Sequence, residues 1–253
     1  MAGLMSGKAG LVTGAAGGIG RGIALELARE DAAAVVVSDL ERSRAGGEET
    51  VRLIEQEGGT AEFVACDVTQ AAEDEALVRH VVERHGRLDY AVNNAGVATH
   101  KPLPDVSEEE YDWILGVNLK GAFLGMKYQI DQMVTQGGGA IVNVGSVASL
   151  CAVRDISVYV ASKHGILGLT KNAAMEFGEH GVRVNAVCPN AIRTPLMDAS
   201  PPDFVAALIA PQAIKRVGEP EEVGFAVAYL LSDRAAFVTG IGLPIDGGYL
   251  TGA

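Results

Sequence analysis

Short runs of apolar and β-branched residues recur along the chain, and longer stretches with apolar positions every three or four residues separate them. The short runs have the length of buried strands, and the longer stretches have the period of amphipathic helices. This alternation predicts repeated β-α-β units and an α/β fold, a doubly wound parallel sheet with helices on both faces. We predict seven strands, at residues 10–13, 34–38, 62–66, 90–93, 140–144, 182–187 and 243–245.

The helical stretches carry recognisable start signals. We predict helices at residues 19–29, 42–57, 71–85, 108–136 with an interruption, 158–178 and 221–232. Ser107 and Glu110 have the spacing of a capping box, Thr69 can cap the third helix, and Pro220 suits a first helical turn. No linker is evident, so residues 1–253 are expected to form a single domain. Residues 199–214 are the least regular stretch, and we expect a lid near residues 195–215.

Composition and charge exclude several classes of protein. The 253 residues include 20 basic and 32 acidic side chains, a formal net charge of −12, which repels nucleic acids and anionic membranes. No apolar run approaches the roughly 18 residues of a membrane span, and the first residues lack a secretory pattern, so we expect a cytoplasmic protein. The three cysteines are widely separated and predict buried thiols, and the acidic run at residues 108–110 suits a helix dipole rather than a metal site.

A glycine-rich turn follows the first predicted strand and opens the first predicted helix. Gly14, Gly18 and Gly20 let the backbone approach a pyrophosphate at the helix N-terminus, as in Rossmann-like folds, although a glycine cluster alone also suits a flexible turn. Asp39 ends the second strand about 20 residues later, where a carboxylate can accept hydrogen bonds from ribose hydroxyls. Because that carboxylate would repel the extra phosphate of NADP, we expect NAD. Arg21, the nearest cation, could equally be a solvated surface residue.

Three polar residues are placed to act beside such a cofactor. Tyr159 and Lys163 lie four residues apart on one face of a predicted helix, and Ser146 follows the fifth strand at its carboxyl end. A nearby ammonium and a positive nicotinamide would lower the pKa of Tyr159 from about 10, which suits an acid/base. Lys163 would also hold the nicotinamide ribose, and Ser146 would orient the reacting oxygen. The pattern predicts hydride transfer between the cofactor and a secondary alcohol or ketone.

Four separated motifs resemble the short-chain dehydrogenase/reductase family over almost the whole chain: the glycine-rich turn, Asn93-Asn94-Ala95-Gly96, Ser146 and Tyr159-x-x-x-Lys163. The resemblance implies that Asn118 completes a catalytic tetrad by holding a water in a proton relay. It also implies a homotetramer in which the helices at residues 118–136 and 158–178 pair across one interface. The cofactor contacts that it implies are Gly14, Gly18, Ile19, Gly20, Asp39, Asp67, Val68, Asn94, Ala95, Gly96, Tyr159, Lys163, Pro189, Ile192 and Thr194.

Three positions allow two interpretations each. The family commonly has Pro-Gly after the sixth strand, and Asn190 stands in place of that glycine. It either adopts a positive φ, the explanation that we favour, or hydrogen-bonds the substrate. Arg154 either forms a surface pair with Asp155, again favoured, or binds a substrate carboxylate. Tyr111 and Trp113 are expected to pack on the following helix rather than stack on a ligand.

The leading hypothesis is an NAD-dependent dehydrogenase for a small secondary alcohol, such as a polyol, a sugar or an alicyclic alcohol. A 3-oxoacyl carrier protein reductase is the second hypothesis. Asp39 argues against its usual NADPH, and the acidic chain offers no evident basic dock for an acidic carrier. The third is a non-catalytic NAD-binding sensor, because a fold does not establish a function. The intact tetrad argues against this third hypothesis.

Overall fold

The computed structural model describes residues 3–252, which form a seven-stranded sheet. The strands are β1 (Ala9–Thr13), β2 (Ala34–Asp39), β3 (Ala61–Ala65), β4 (Tyr90–Asn93), β5 (Gly139–Val144), β6 (Val182–Pro189) and β7 (Gly242–Ile245). They lie in the order β3-β2-β1-β4-β5-β6-β7, and every neighbouring pair is parallel. All seven predicted strands are confirmed, with β3 beginning and ending one residue earlier than expected.

Helices connect these strands, and the longest predicted helix is divided. The helices are α1 (Gly18–Arg29), α2 (Arg44–Gln56), α3 (Ala71–His85), α4 (Glu108–Leu115), α5 (Gly121–Thr135), α6 (Ser157–Phe177), α7 (Pro195–Asp198), α8 (Pro202–Ile209) and α9 (Pro220–Leu231). A π-helical turn at Gly116–Lys120 joins α4 to α5, where the interruption was predicted. None of the described helices is long and apolar enough to cross a bilayer.

Two apolar cores cover the two faces of the sheet. Successive residues of a strand point to opposite faces, so Leu11 and Val12 belong to different cores. Val12 packs with side chains of α1, α2 and α9, including Ile23, Ile54 and Val227. Leu11 packs with side chains of α3, α5 and α6. The predicted α/β fold, with a Rossmann-like sheet and helices on both faces, is therefore confirmed.

The predicted helix starts have mixed outcomes. The capping box is present, since Ser107 Oγ accepts from the Glu110 amide at 3.3 Å and the Glu110 carboxylate accepts from the Ser107 amide at 3.0 Å. Pro220 is the first residue of α9. The prediction that Thr69 caps α3 is wrong, because its hydroxyl donates to the Asp67 carboxylate at 2.8 Å and Gln70 is the N-cap residue of α3.

The stretch at residues 199–214 is more regular than its sequence suggested. It contains α8, and proline occupies the first position of that helix, where a missing amide hydrogen costs nothing. Prolines that interrupted the apolar pattern therefore mark the start of a short helix. We call residues 195–215, which include α7 and α8, the lid segment.

The order of the strands opens a crevice at their carboxyl ends. The chain moves outward from β1 to β2 and β3, then returns to place β4 on the other side of β1. In doubly wound sheets, ligands bind where the winding direction changes. The glycine-rich turn after β1 and the loops after β4 and β5 meet at this point.

Candidate active site

A cleft of about 530 Å³ follows the carboxyl ends of the strands, from the end of β3 to the end of β6. This volume is within the usual range of small-molecule sites. We call the part beside β1, β2 and β3 the cofactor half, with Gly14, Gly18, Ile19, Gly20, Asp39, Arg42, Asp67 and Val68 in its wall. We call the part between the loop after β4 and the lid segment the substrate half, with Val97, Ala98, His100, Val153, Ile156, Phe204 and Leu208 in its wall.

The glycine-rich turn requires glycine for steric reasons. Gly14 and Gly18 have φ values of +65° and +54°, which side chains rarely adopt. A Cβ atom at Gly20 would lie 2.3 Å from the carbonyl oxygen of Gly14. The Asn94 amide group holds the turn by donating to the carbonyl oxygens of Thr13 at 2.9 Å and Gly14 at 3.0 Å. The Asn94 side chain therefore stabilises the turn. This loop-stabilising role is the alternative to the expected contact with the cofactor.

The start of α1 is suited to an anion. Gly17 is its N-cap residue and lines the cleft, and no side chain caps the helix. The first amides of α1 therefore have no competing side-chain acceptor, and the helix dipole favours negative charge there. Together with the close turn, these features fit the pyrophosphate of a dinucleotide.

Asp39 lies in the cofactor half with its carboxylate held by the backbone. Oδ2 accepts from the Ala16 amide at 3.1 Å, and Oδ1 accepts from the Leu40 amide at 2.8 Å. Each carboxylate oxygen can accept more than one hydrogen bond, so both retain capacity for ribose hydroxyls. Backbone amides thus orient the Asp39 carboxylate at the end of β2, where we expected it from the sequence.

Two arginines near Asp39 differ in their availability. Arg21 donates to the Thr50 hydroxyl and to the carbonyl oxygens of Ala16 and Gly46, so it is neither a solvated residue nor a free cation. Arg42 lines the cofactor half and is exposed. Sequence reasoning missed Arg42, although its position three residues after Asp39 was a usable signal.

The other residues expected to contact the cofactor also line the cleft. Asp67 Oδ1 accepts from the amide and the hydroxyl of Thr69, which fixes the turn after β3. Thr194 Oγ1 accepts from the Met197 amide at 3.1 Å and so caps α7. The cleft wall also includes Val68, Ala95, Gly96, Pro189 and Ile192.

Ser146, Tyr159 and Lys163 converge between the two halves of the cleft. β5 ends at Val144, and Ser146 begins the short turn that follows it, with its Oγ accepting from the Ala148 amide at 3.2 Å. Tyr159 and Lys163 lie one turn apart on α6, and Lys163 Nζ is 5.5 Å from the centre of the Tyr159 ring. Lys163 is buried and donates to the Val144 carbonyl oxygen at 2.7 Å. This bond links the two elements that carry the three residues.

Burial shifts the pKa values of this cluster. Desolvation lowers the pKa of Lys163 from 10.5 to about 8. Desolvation also raises the pKa of Tyr159, while a hydrogen bond with Ser146 opposes that rise. In the protein chain without a cofactor, desolvation is therefore the largest influence on the Tyr159 pKa. The expectation that Lys163 and a bound nicotinamide together lower this pKa stays a prediction. The ammonium group is directed at the Val144 carbonyl, and burial dominates the environment of the phenol.

Asn118 lies in the π-helical turn, buried behind the cluster. Its Oδ1 accepts from the Val97 amide at 2.8 Å, and its Nδ2 donates to the Val97 carbonyl at 2.9 Å and to Ser162 Oγ at 3.0 Å. A Cβ atom at Gly96 would lie 3.4 Å from Asn118 Oδ1 and 3.6 Å from Lys163 Nζ. All four members of the predicted tetrad are thus close to the loop after β4.

Asn190 connects the end of β6 to the lid segment. The favoured expectation of a positive φ is wrong, because among residues 3–252 only Asp31 and Asp155 combine a positive φ with a side chain. Asn190 Nδ2 donates to the Leu208 carbonyl at 3.1 Å and to Gln212 Oε1 at 2.9 Å. Its Oδ1 is enclosed and has no hydrogen-bond partner within the described chain. The side chain therefore acts between the sheet and the lid segment.

The remaining expectations for the substrate half are corrected. Arg154 is exposed and outside the cleft wall, and no ion pair joins it to Asp155 in the described part of the chain. Trp113 lines the cleft instead of being buried on the following helix, and Tyr111 is exposed. His100, which sequence reasoning overlooked, lies in the cleft wall with its ring against Phe204. No spacing signal marked His100, because it stands in an irregular loop.

The fold and this cleft define a Rossmann-like dinucleotide-binding protein, and comparison with known proteins identifies its family. The family model described as enoyl-(acyl carrier protein) reductase matches residues 14–250. Cyclohexanol dehydrogenase of Acinetobacter sp. is 41% identical over 246 residues, which are 96% of this chain and 94% of that protein. The chain belongs to the short-chain dehydrogenase/reductase family, a family of oxidoreductases, as its motifs indicated.

Two further relatives extend this similarity. The 2,5-dichloro-2,5-cyclohexadiene-1,4-diol dehydrogenase of Sphingobium indicum is 39% identical over 253 residues, which cover 97% of this chain and 98% of that protein. The crystal structure of levodione reductase superimposes with a TM-score of 0.89 at 35% identity, and the match covers 98% of this chain and 100% of that one. The likeness therefore includes the whole cleft, with the lid segment.

Proposed function

We propose that this protein is an NAD-dependent dehydrogenase that interconverts a secondary alcohol and its ketone, with Tyr159 as the acid/base. The observation that carries this proposal is the convergence of Ser146, Tyr159 and Lys163 on one edge of a cleft whose other half fits a dinucleotide, with Asn118 buried behind them. A binding protein would need the cofactor half alone. Lys163 could serve cofactor binding as well, but its buried position beside Tyr159, together with Ser146, is the arrangement that acid/base chemistry needs.

The cofactor half would hold the dinucleotide through backbone and carboxylate groups. The amides at the start of α1 face the pyrophosphate, and Asp39 accepts from the adenosine ribose. A bound nicotinamide supplies the site that takes up or releases the hydride. Asp39 would repel the ribose phosphate of NADP and therefore favours NAD. Arg42 is a cation at the same end of the cleft, and it would attract that phosphate. The cofactor preference therefore depends on which of these two charges lies nearer the ribose.

The protein residues supply the proton path. In the oxidation direction, Tyr159 takes the proton from the alcohol oxygen, and in the reduction direction it returns that proton. Ser146 holds the reacting oxygen by a hydrogen bond. Lys163, whose pKa burial lowers to about 8, is positively charged at neutral pH, and together with a bound nicotinamide it would favour the phenolate form of Tyr159. Asn118 fixes the backbone behind Lys163 and lies on the path by which a water relay would reach solvent.

The substrate half favours a compact apolar alcohol. Its wall is formed mainly by aliphatic and aromatic side chains, such as Val97, Ile156 and Leu208, with Trp113 at one side. Such a surface suits an alicyclic ring. Relatives named for cyclohexanol and for a cyclohexadiene diol agree with this class. We therefore propose alicyclic secondary alcohols and their ketones as substrates, with the lid segment closing over them.

The test is NADH formation from cyclic alcohols, with Tyr159→Phe as the decisive variant. The wild-type protein should oxidise cyclohexanol with NAD, and the variant should lose about 10³-fold in kcat while still binding NADH. Retained turnover in the variant would contradict the role of Tyr159. NADH binding without turnover of any alcohol would instead favour the sensor hypothesis. Turnover confined to 3-oxoacyl carrier protein thioesters with NADPH would favour the 3-oxoacyl carrier protein reductase hypothesis.

We also propose that the protein is a homotetramer in the cytoplasm. Met175 on α6 is 85% exposed and Phe237, close to β7, is completely exposed, as expected for residues that a partner subunit covers. Cys66, Cys151 and Cys188 are unpaired, which suits a reducing compartment. Light scattering tests the assembly, and a monomeric mass would contradict it.

A further inference from the structure

His100 is held next to the catalytic cluster by its main chain. The following residue, Lys101, donates its amide to the Asp155 carbonyl at 2.7 Å and pairs with Ile156 in an isolated parallel bridge. Ile156 stands immediately before α6, three residues ahead of Tyr159. The loop that carries His100 is therefore tied to the segment that positions the acid/base.

The imidazole ring of His100 is oriented by the lid segment. Its centre lies 4.1 Å from the centre of the Phe204 ring, and the two planes meet at 77°, which is an edge-to-face contact. Phe204 belongs to α8, so this contact bridges the loop after β4 and the lid segment. A ring packed in this way presents its nitrogens in a restricted set of directions.

The nitrogens of His100 are free for a ligand. Within residues 3–252, no hydrogen bond or ion pair reaches the imidazole. Burial lowers the pKa of His100, with Asp155 opposing the shift, so the ring is neutral at pH 7. A neutral imidazole has one donor and one acceptor nitrogen. Both hydrogen-bonding positions are therefore available in a cleft wall that is otherwise mainly apolar.

Asn190 is a second polar side chain beside the substrate half, but its geometry is unsuitable for a hydrogen bond to a substrate. Its Nδ2 is used by Leu208 and Gln212, and its Oδ1 is enclosed. The amide cannot be reversed, because Gln212 Nε2 donates to the carbonyls of Ile214 and Arg216, which leaves Gln212 Oε1 facing Asn190 as an acceptor. His100, in contrast, is exposed in the cleft wall.

We propose that His100 hydrogen-bonds a second oxygen of the substrate, so that the preferred substrate is a ring alcohol or ketone with a further hydroxyl or carbonyl group. This inference rests on the function proposed above and narrows its substrate class. A second oxygen would satisfy the imidazole when the ligand displaces water. A plain hydrocarbon ring would leave the same nitrogens desolvated and unpaired, which is unfavourable.

The test compares kcat/KM for the three cyclohexanediol regioisomers with kcat/KM for cyclohexanol. In the wild-type protein, at least one diol should be preferred. His100→Phe keeps an aromatic ring against Phe204 and removes both nitrogens, and it should reduce the diol-to-cyclohexanol ratio about tenfold. His100→Gln retains hydrogen-bonding groups and should reduce the ratio less. Phe204→Leu removes the ring that orients the imidazole but keeps its nitrogens, so it should reduce the ratio by a smaller factor than His100→Phe.

Several results would overturn the assignment. These are a wild-type preference for cyclohexanol over every diol, an unchanged ratio in His100→Phe, or a larger fall of the ratio in Phe204→Leu than in His100→Phe. If the wild-type protein oxidises no alcohol at all, the proposed function fails separately. In that case the thermal shift of the NADH-loaded protein still decides about His100. At least one of the three diols should then raise the Tm of the wild-type protein more than that of His100→Phe, and equal shifts with all three would refute the role.

Discussion

The two halves of the cleft are constructed differently. In the cofactor half, backbone groups at the strand ends define the surface, since Asn94 holds the turn after β1 and two backbone amides hold Asp39. In the substrate half, side chains from a loop and the lid segment define the surface. The contact between His100 and Phe204 joins the loop to the lid segment, and the hydrogen bond from Asn190 to Leu208 joins the end of β6 to the lid segment. The cofactor half therefore depends on the sheet, and the substrate half depends on side-chain packing.

This difference predicts how each half should respond to substitution. A surface made by backbone requires particular residues at a few positions, because only glycine allows the close approaches at the turn. A surface made by side chains tolerates replacements of similar volume, and each replacement changes the shape of the pocket. Cofactor binding should thus be lost abruptly when the first half is altered, while substrate preference should change gradually in the second.

The largest expected effect is that of Gly20→Ala in the cofactor half. Its Cβ atom would lie 2.3 Å from the Gly14 carbonyl oxygen, so the turn must widen where the pyrophosphate is expected to bind. NADH affinity, measured by fluorescence titration, should fall about 100-fold or more, which corresponds to roughly 3 kcal/mol. Gly178→Ala is the control, since a Cβ atom there meets nothing within 4 Å, and its affinity should be unchanged. A folded Gly20→Ala protein with wild-type affinity would show that the turn is not rigid.

The second prediction concerns Lys163, which lies where the two halves meet. Its pKa in the folded protein is about 8, below the ordinary 10.5, so the charged form is unfavourable in the folded state. At pH 7 this costs about 3 kcal/mol of stability. As the pH rises from 8 to 10.5, folded Lys163 loses its proton before unfolded Lys163 does, and the wild-type protein regains that stability.

Lys163→Met should therefore be inactive but more stable than the wild-type protein at pH 7. The difference in unfolding free energy, measured by urea denaturation, should shrink by about 3 kcal/mol between pH 7 and pH 10.5. The loss of the hydrogen bond to Val144 lowers the stability of the variant at every pH and leaves this slope unchanged. A difference that does not vary with pH would mean that Lys163 is solvated in the folded state.

The extent to which the sequence predicted each half follows from the same contrast. Gly14, Gly18, Gly20 and Asp39 were found because a backbone-built site demands fixed residue types at fixed spacing after a strand. The Tyr159 and Lys163 pair was found because one helical turn fixes its geometry. The confirmed sheet followed from the apolar pattern, since buried parallel strands must be apolar on both faces.

The substrate half could not be predicted in the same way. His100 stands in an irregular loop and Trp113 stands on α4, and tertiary packing, which has no signal in the local sequence, brings both to the cleft. Asn190 was noticed as a departure from a family pattern, but its explanation was wrong. Its side chain depends on Leu208 and Gln212, about 20 residues away, and the packing that brings them together has no local signature.

The third prediction tests the charge balance in the cofactor half. Asp39→Ala removes the carboxylate that accepts from the ribose and repels a ribose phosphate, so the NAD-to-NADP ratio of kcat/KM should fall about 10- to 30-fold. Arg42→Ala should change the ratio in the opposite direction, because it removes a cation that favours NADP. An unchanged ratio in Asp39→Ala would refute the assignment of Asp39 to the ribose.

The smallest expected effect is that of Asn190→Gly, which restores the residue common in the family. The substitution removes the hydrogen bonds to Leu208 and Gln212, each worth about 1 kcal/mol, and so loosens the lid segment from β6. KM for the alcohol should rise about fivefold, while KM for NAD should change less than twofold, because the cofactor half is held by other contacts. Gln212→Leu should raise KM for the alcohol more, because it also removes the hydrogen bonds to Ile214 and Arg216. The double variant should fall short of the product of the two effects, since both changes break the bond between Asn190 and Gln212. Equal increases in KM for both ligands would mean that the two halves are mechanically coupled through the end of β6. The two halves would then differ in structure but not in how they respond to this substitution.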